Sequence, residues 1–397
     1  MTSDFTSPDE FDEPQSSPES TPRQGRARER QRRRREKRSQ QTDTPARRSD
    51  HLTPAGRPQL RLPSVKLPSG AKVVIGLVLA VVVVVGVVIG LRQLKPPEAE
   101  LQPNALWIGT EWTYEEHEPE AIADFVEQLH EHDIGTVYAW VSWLQEDGTW
   151  RGAENFAKVR VFANQLKAVY PEVELHGWIS FPANLDEDGY RLDDEELQQN
   201  IADFSASVVG ELGYDGIFLN VEPVWDGDES FLALLRKVRT SVGDEVPVSA
   251  AIPPDWSPED ADIPVPPLIV PGTVWAKEYK QSVALLTDHM AIMAYNSGLS
   301  SAEDYEVWMA YQVATFADAI SELGEGTNLL IGIPTYDEEL PGHDPEVESV
   351  PAALRGLDEG LSQAGEAAVF VQGVAIYAGW TTDEIEWQQF NDWLATP

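Results

Sequence analysis

Two hydrophobic rhythms alternate through the C-terminal three quarters of the chain. Short apolar runs recur at Leu106–Gly109, Thr136–Val141, Glu174–Ile179, Gly216–Val221, Val246–Ile252, Met290–Ala294, Leu329–Ile333 and Val374–Ala378. The intervening segments carry helical spacing. Ile122, Phe125, Val126 and Leu129 fall on one face of a helix, as do Leu197, Ile201, Phe204 and Val208, and again Phe231, Leu234, Leu235 and Val238. Strands alternating with helices imply a parallel sheet. Eight such units over roughly 290 residues suit a closed (β/α)8 TIM barrel, whose usual size is about 250 residues. An open doubly wound sheet is the rival, but it normally carries a phosphate-binding glycine loop after its first strand. Gly109-Thr110-Glu111-Trp112 is not such a loop.

Upstream, the pattern changes. Val73–Leu91 is an uncharged apolar stretch between Lys72 and Arg92. At the helical rise it would extend about 28 Å, close to the hydrocarbon thickness of a bilayer. A signal-peptide core is shorter and nearer residue 1, so a retained transmembrane helix in contact with membrane lipid is predicted. The run Arg32, Arg33, Arg34, Arg35, Lys37 and Arg38 outweighs Arg92 and Lys95 on the other side. The positive-inside rule then makes this a single-pass protein with a cytoplasmic N-terminus and an extracytoplasmic C-terminal domain. Residues 1–72, rich in Ser, Pro and Arg, have too little apolar surface to offset chain entropy and read as a disordered basic tail. The predicted order is therefore tail 1–72, membrane helix 73–91, linker 92–104 and barrel 105–397.

Charge sharpens this division. Residues 1–72 hold 16 basic and 10 acidic residues, a net of +6, whereas residues 93–397 hold 12 and 57, a net of -45. The acidic half disfavours polyanionic partners such as nucleic acid, and its carboxylates serve solubility or suit a salty environment. The arginine run lacks the interleaved aromatics that stack bases, so topogenic and lipid contact is the reading for the tail. With no cysteine in the chain, disulfides and thiolate metal sites are excluded.

In a parallel barrel, chemistry sits where the strands end and the βα loops begin. Those ends carry Glu111 and Trp112, Trp140 and Trp143, Trp178, Glu222 and Trp225, Trp256, Tyr295 and Asn296, Tyr336 and Asp337, and Tyr377 and Trp380. An aromatic rim of this kind suits the C–H faces of sugar rings, so a polysaccharide or glycan substrate is expected. Along Gly216–Glu222, Ile217, Leu219 and Val221 share one parity and should face the helices. Phe218, Asn220 and Glu222 share the other and should point into the barrel. Glu222 comes last, where a ring of aromatics would desolvate it as a general acid requires.

The segment Asp215-Gly216-Ile217-Phe218-Leu219-Asn220-Val221-Glu222 resembles the fourth-strand D-G-x-D-x-D-x-E motif of family 18 glycoside hydrolases. Phe218 and Asn220 replace its second and third acids. Met293-Ala294-Tyr295-Asn296 is similar to the sixth-strand M-x-Y-D, with Asn for Asp. Gly332-Ile333-Pro334-Thr335-Tyr336 is similar to the seventh-strand G-x-P-x-Y, and Gly373 to Tyr377 to the eighth-strand G-x-x-x-W, with Tyr for Trp. The resemblance spans most of residues 105–390 and rests on the order of these short motifs. It implies substrate-assisted hydrolysis at an N-acetylhexosamine. Glu222 would protonate the glycosidic oxygen, Asn220 would orient the acetamido group that attacks the anomeric carbon, and Tyr295 would bond to that group from the other side. The pair Asn220 and Glu222 also resembles the Asn-x-Glu of family 85 endo-β-N-acetylglucosaminidases. Trp112, Trp140, Trp178, Trp225, Asn296, Tyr336, Tyr377 and Trp380 would bind substrate.

Three alternatives stay open. The losses at Phe218, Asn220 and Asn296 fit a catalytically silent carbohydrate-binding barrel. Glu338 and Glu339 lie just past the seventh strand, and Glu338 would allow a two-carboxylate retaining mechanism with Glu222. A surface sensor whose basic tail signals inward is the third. No cofactor is implied, and none of the seven histidines forms a metal-ligand spacing such as H-E-x-x-H. The acidic loops at Asp186–Asp188 and at Asp226, Asp228 and Glu229 read as solvated, with calcium binding as the alternative.

Overall fold

The computed structural model describes residues 103–184, 189–257, 263–324, 326–336 and 343–396. Eight parallel strands close into a barrel in the order β1 to β8. They are β1 (Asn104–Ile108), β2 (Ile134–Trp143), β3 (Glu174–Pro182), β4 (Gly216–Glu222), β5 (Val248–Ile252), β6 (His289–Ile292), β7 (Asn328–Pro334) and β8 (Val371–Tyr377). Closure is made by pairing of Ala105 with Ala375 and Leu106 with Ile376. Around them lie α1 (Pro119–Glu131), α2 (Phe156–Val169), α3 (Glu195–Gly210), α4 (Glu229–Val242), α5 (Lys277–Ala284), α6 (Ala302–Ser321), α7 (Val350–Ala364) and α8 (Glu384–Leu394). The predicted (β/α)8 architecture is thus the observed one, with every apolar run on a strand. The segment 73–91 and the tail lie outside the described residues. Among those described, no helix is long and apolar enough to cross a membrane.

Strand alternation divides the interior into two hydrophobic layers. Outward positions such as Leu106, Ile108, Val137, Val141, Ile217, Leu219 and Val221 pack with the helix faces predicted from spacing. Inward positions form a separate layer that includes Trp107, Tyr138, Trp140, Trp178 and Phe218. Both faces of each strand are buried, so strands read as near-continuous apolar runs rather than alternating ones. The inner layer is lopsided. Strands β1 to β4 supply the large rings, while β5, β6 and β8 supply Ala251, Ala291 and Ala375. Large residues on one wall thus fill the space left by small ones on the other, which satisfies close packing. Phe218, which replaces a motif acid, belongs to this plug; its ring lies 5.6 Å from Trp107, edge-on, and 4.2 Å from Tyr138.

At the N-terminal foot of the barrel, two aspartates clamp strand starts. Asp215 accepts from the Leu175 N–H and pairs with Lys167 at 2.7 Å, and Asp288 accepts from the Val248 N–H and pairs with Arg239 at 2.6 Å. Asp194, Asp228, Ser301 and Asp383 cap helices, which uses part of the acidic content of the loops. Asp226 accepts from the Ala276 N–H, so two carboxylates of the loop after β4 hold backbone. Asp186–Asp188 lie outside the described residues.

A buried ion pair joins the end of β5 to α5. Lys280 donates to Asp255, with side chains only 3% and 5% exposed, and its ammonium sits 4.3 Å from the Phe316 ring centroid. Burial pushes the Asp255 carboxyl up and the Lys280 ammonium down, and their mutual contact opposes both shifts. Removing one partner strands the other charge. Lys280→Met is expected to cost about 3–5 kcal/mol in urea unfolding, and Lys280→Met combined with Asp255→Leu to recover much of that loss.

Candidate active site

The C-terminal mouth of the barrel is built from the ends of β2, β3, β4, β6, β7 and β8. Asn220 and Glu222 occupy inward positions at the end of β4, with Glu222 in register with Pro182 and its carbonyl accepting from the Ala183 N–H at 2.7 Å. The predicted parity of the strand holds: Ile217, Leu219 and Val221 join the outer layer and Phe218 the inner one. Glu222 is exposed, however, so the free protein does not give it the desolvated surroundings expected from its aromatic neighbours. The reason is geometric. The large inner rings lie lower in the barrel than the last residue of β4, and the carboxylate stands above them at the water boundary.

Asn220 is half-buried. Its carboxamide oxygen is inaccessible to solvent and has no hydrogen-bond partner among the described residues. An Asn amide offers both an acceptor oxygen and donor N–H groups, so this unpaired oxygen leaves hydrogen-bonding capacity for a ligand. Tyr295 is buried; burial, then the neighbouring Tyr377 and Tyr336, and then the charge of Glu222, push its hydroxyl well above the usual tyrosine range. The hydroxyl therefore stays protonated at every physiological pH and is available as a donor. The influence of Glu222 on it places acid and donor in one electrostatic neighbourhood.

A chain of rings completes the mouth. Tyr295 stacks on Tyr377 at 5.1 Å, and Tyr336 meets both edge-on at 6.4 and 6.0 Å. Tyr377 meets Trp380 edge-on at 5.6 Å, and Trp380 lies parallel to Trp178 at 6.4 Å. Trp140 sits beneath, 4.8 Å from Trp178, and its indole N–H donates to the Tyr114 hydroxyl. Trp140 and Trp178 are buried and form a floor, while Tyr336, Tyr377 and Trp380 keep half-exposed faces. Asn296, in left-handed backbone with φ of 55°, accepts from the Tyr336 hydroxyl at 2.7 Å.

Two residues assigned to substrate by sequence reasoning make their ring contacts outside this chain of rings. Trp112 belongs to a helical turn, Thr110–Thr113, which rotates it into the outer layer, where it stacks on Phe125 at 4.2 Å. Trp225 forms a separate pair with Tyr190 at 6.4 Å and packs over Gly272. Loop backbone turned each ring off the strand axis, a turn that strand parity does not report. Trp256 is bound through its indole N–H to the Ile269 carbonyl. Asp337, Glu338 and Glu339 lie outside the described residues.

Sequence reasoning placed Glu111 at the rim without giving it a role, and missed Glu348. Glu111 folds back to accept from the Gly109 N–H at 2.9 Å, and its burial pushes its carboxyl up. It occupies, with the Trp380 ring, the space a side chain on Gly109 would need. Glu348, buried ahead of α7, organises the loop after β6. Its carboxylate accepts from the Asn296 N–H at 2.8 Å, the Ser297 N–H at 2.7 Å and the Ser297 hydroxyl, and lies 3.1 Å from His343 Nδ1. It is distant in sequence from the Asn296–Ser297 backbone it holds, which left only its place among many acidic residues as a signal.

No protein-family model matches this sequence, and no curated protein matches it. Among solved structures, the chain is similar to the spore cortex-lytic enzyme SleL of Bacillus cereus, at 10% identity over 72% of this chain and 73% of that one, with a TM-score of 0.47. It is also similar to the group IV chitinase of Ostrinia furnacalis in complex with allosamidin, at 14% identity over 74% and 98%, TM-score 0.46. A third is the family 18 chitinase ChiB of Flavobacterium johnsoniae, at 13% identity over 73% and 94%, TM-score 0.42. At these identities the likeness concerns the fold, and the chemistry of the mouth rests on the residues of this chain.

Glu348→Gln keeps one acceptor oxygen and turns an amide N–H2 toward backbone donors. It is expected to lower stability by about 1–3 kcal/mol in chemical denaturation. Glu359→Gln, an exposed change on α7, is expected to leave the unfolding midpoint unchanged.

Proposed function

We propose that this protein is a glycoside hydrolase that cleaves N-acetylhexosamine-containing glycans by substrate-assisted acid catalysis. The observation that carries the reading is the pairing of Asn220 and Glu222 on the inward face of β4, at an aromatic mouth that also holds Tyr295. In this mechanism a sugar stacks on the half-exposed faces of Tyr377 and Trp380 and covers the exposed Glu222, adding desolvation. Glu222 gives its proton to the glycosidic oxygen as the C1–O bond breaks. The acetamido carbonyl oxygen attacks C1, and the resulting positive charge is shared by an oxazolinium ring. The unpaired amide of Asn220 orients the acetamido group from one side, while the protonated hydroxyl of Tyr295 donates to its oxygen from the other. The Glu222 carboxylate then takes a proton from water as the water attacks C1 and reopens the ring.

A second reading, a binding barrel without turnover, is favoured by Phe218, a packed apolar side chain where the resembling motif has an acid. Turnover of fluorogenic chito-oligosaccharides separates the two. Glu222→Gln is expected to reduce kcat about 10²–10⁴-fold while tryptophan fluorescence still reports binding. Asn220→Asp should retain turnover better than Asn220→Ala. Saturable binding with no turnover in the wild type would establish the lectin reading instead.

The reading includes anchorage through Val73–Leu91, with the basic tail in the cytoplasm and the barrel outside. In cells expressing the full chain, the protein is expected to resist carbonate extraction, with the barrel open to externally added protease. Deleting 73–91 is expected to release it. Extraction of the intact chain by carbonate would remove the anchor from this picture.

A further inference from the structure

The foot of the barrel holds a second constellation, at the opposite end of the strands from Glu222. Glu174 opens β3, and His176 follows it on the same face of the strand; His289 opens β6. Strands β4 and β5 lie between them on the barrel wall, yet the rings of His176 and His289 sit 5.4 Å apart at 23°. They meet because the intervening strands carry little side chain there. Gly216 is in register with His176, and Ser249 with His289. A Cβ on Gly216 would stand 2.8 Å from the His176 ring, including its Nε2.

The donor atoms converge. Glu174 Oε2 is 3.7 Å from His176 Nε2 and 3.7 Å from His289 Nε2, and one ligand atom from each of the three residues lies within 4.8 Å of the others. These separations exceed hydrogen-bonding distance. The His176 side chain is fully buried. Its Nδ1 is 2.9 Å from Ser249 Oγ, which aims Nε2 into the cluster, and Nε2 has no hydrogen-bond partner among the described residues. An orphaned buried ring nitrogen costs stability unless something fills the gap. Asp215 and Asp288 add negative potential around Glu174, whose side chain is 26% exposed and opens the cluster to solvent.

We propose that Glu174, His176 and His289 form a site for a divalent transition metal of the zinc type, which ties β3 to β6 at the foot of the barrel. Two imidazoles, one carboxylate and no thiolate match a borderline cation with a fourth position left for water. A tetrahedral zinc with bonds of about 2.0–2.2 Å holds its donors roughly 3.3–3.5 Å apart, so the pairs at 3.7 Å need close by only a few tenths of an ångström. Ser249 would then act as the outer partner that sets the tautomer and direction of His176. Placement at the foot rather than the mouth makes the role structural.

The test uses the purified full-length chain, stripped with chelator and dialysed against Zn²⁺ alone. One equivalent of zinc is expected by elemental analysis, with a Tm that rises with zinc concentration. Co²⁺ in place of Zn²⁺ is expected to give the visible absorption of a low-coordinate nitrogen and oxygen site. Glu174→Gln, at the solvent edge and checked for folding by circular dichroism, should weaken binding by at least about 100-fold. His289→Gln should remove the cobalt spectrum. Glu222→Gln should bind zinc as the wild type does, which keeps this outcome separate from that of the glycosidase reading. Absence of stoichiometric zinc in the wild type, or a full equivalent retained in Glu174→Gln, overturns the proposal.

Discussion

Each strand of this barrel must satisfy two interiors at once, and most of the structure follows from that requirement. Residues of one parity meet the helices; those of the other meet residues from across the barrel. A closed ladder leaves no open strand edge, because each strand pairs with a neighbour on both sides. The space inside is small, and the chain fills it asymmetrically, with Trp107, Tyr138, Trp178 and Phe218 set against Ala251, Ala291 and Ala375. An aromatic plug of this kind excludes water from the middle of the barrel and confines polar chemistry to its two ends.

The two ends are polar in different ways. At the foot, Asp215 and Asp288 hold strand starts through backbone N–H groups and basic partners, while Glu174, His176 and His289 face one another across strands of small side chains. At the mouth, Asn220, Glu222 and Tyr295 stand among rings whose outer faces are partly free. The aromatic plug lies between the two ends. Gly216 shows how one strand serves both: its missing side chain leaves room for His176, and its parity carries Glu222 to the rim.

The mouth depends on loops as much as on strands. Tyr295 precedes Asn296 in left-handed backbone, a conformation that asparagine tolerates better than most residues. Glu348 holds that turn by accepting from two backbone N–H groups and a hydroxyl at once. The Tyr336 bond to Asn296 then ties the loop after β7 to the loop after β6. Under the proposed function, preorganisation of this sort would hold the Tyr295 hydroxyl in place without rearrangement on binding.

Short apolar runs and helical spacing in the sequence determined the eight strands and the buried helix faces, and strand parity determined the inward direction of Phe218, Asn220 and Glu222, because those properties are local to the backbone. The same local logic named the rim residues Trp140, Trp178, Tyr295, Asn296, Tyr336, Tyr377 and Trp380. Only the tertiary structure decided that Trp112 and Trp225 turn away, because loop dihedrals follow no period. It alone decided how high Glu222 stands above the aromatic plug, since that depends on ring volumes contributed by other strands. The roles of Glu348 and Glu111, and the meeting of His176 with His289, were likewise invisible in one dimension: barrel closure creates those contacts between residues whose sequence neighbours say nothing of them.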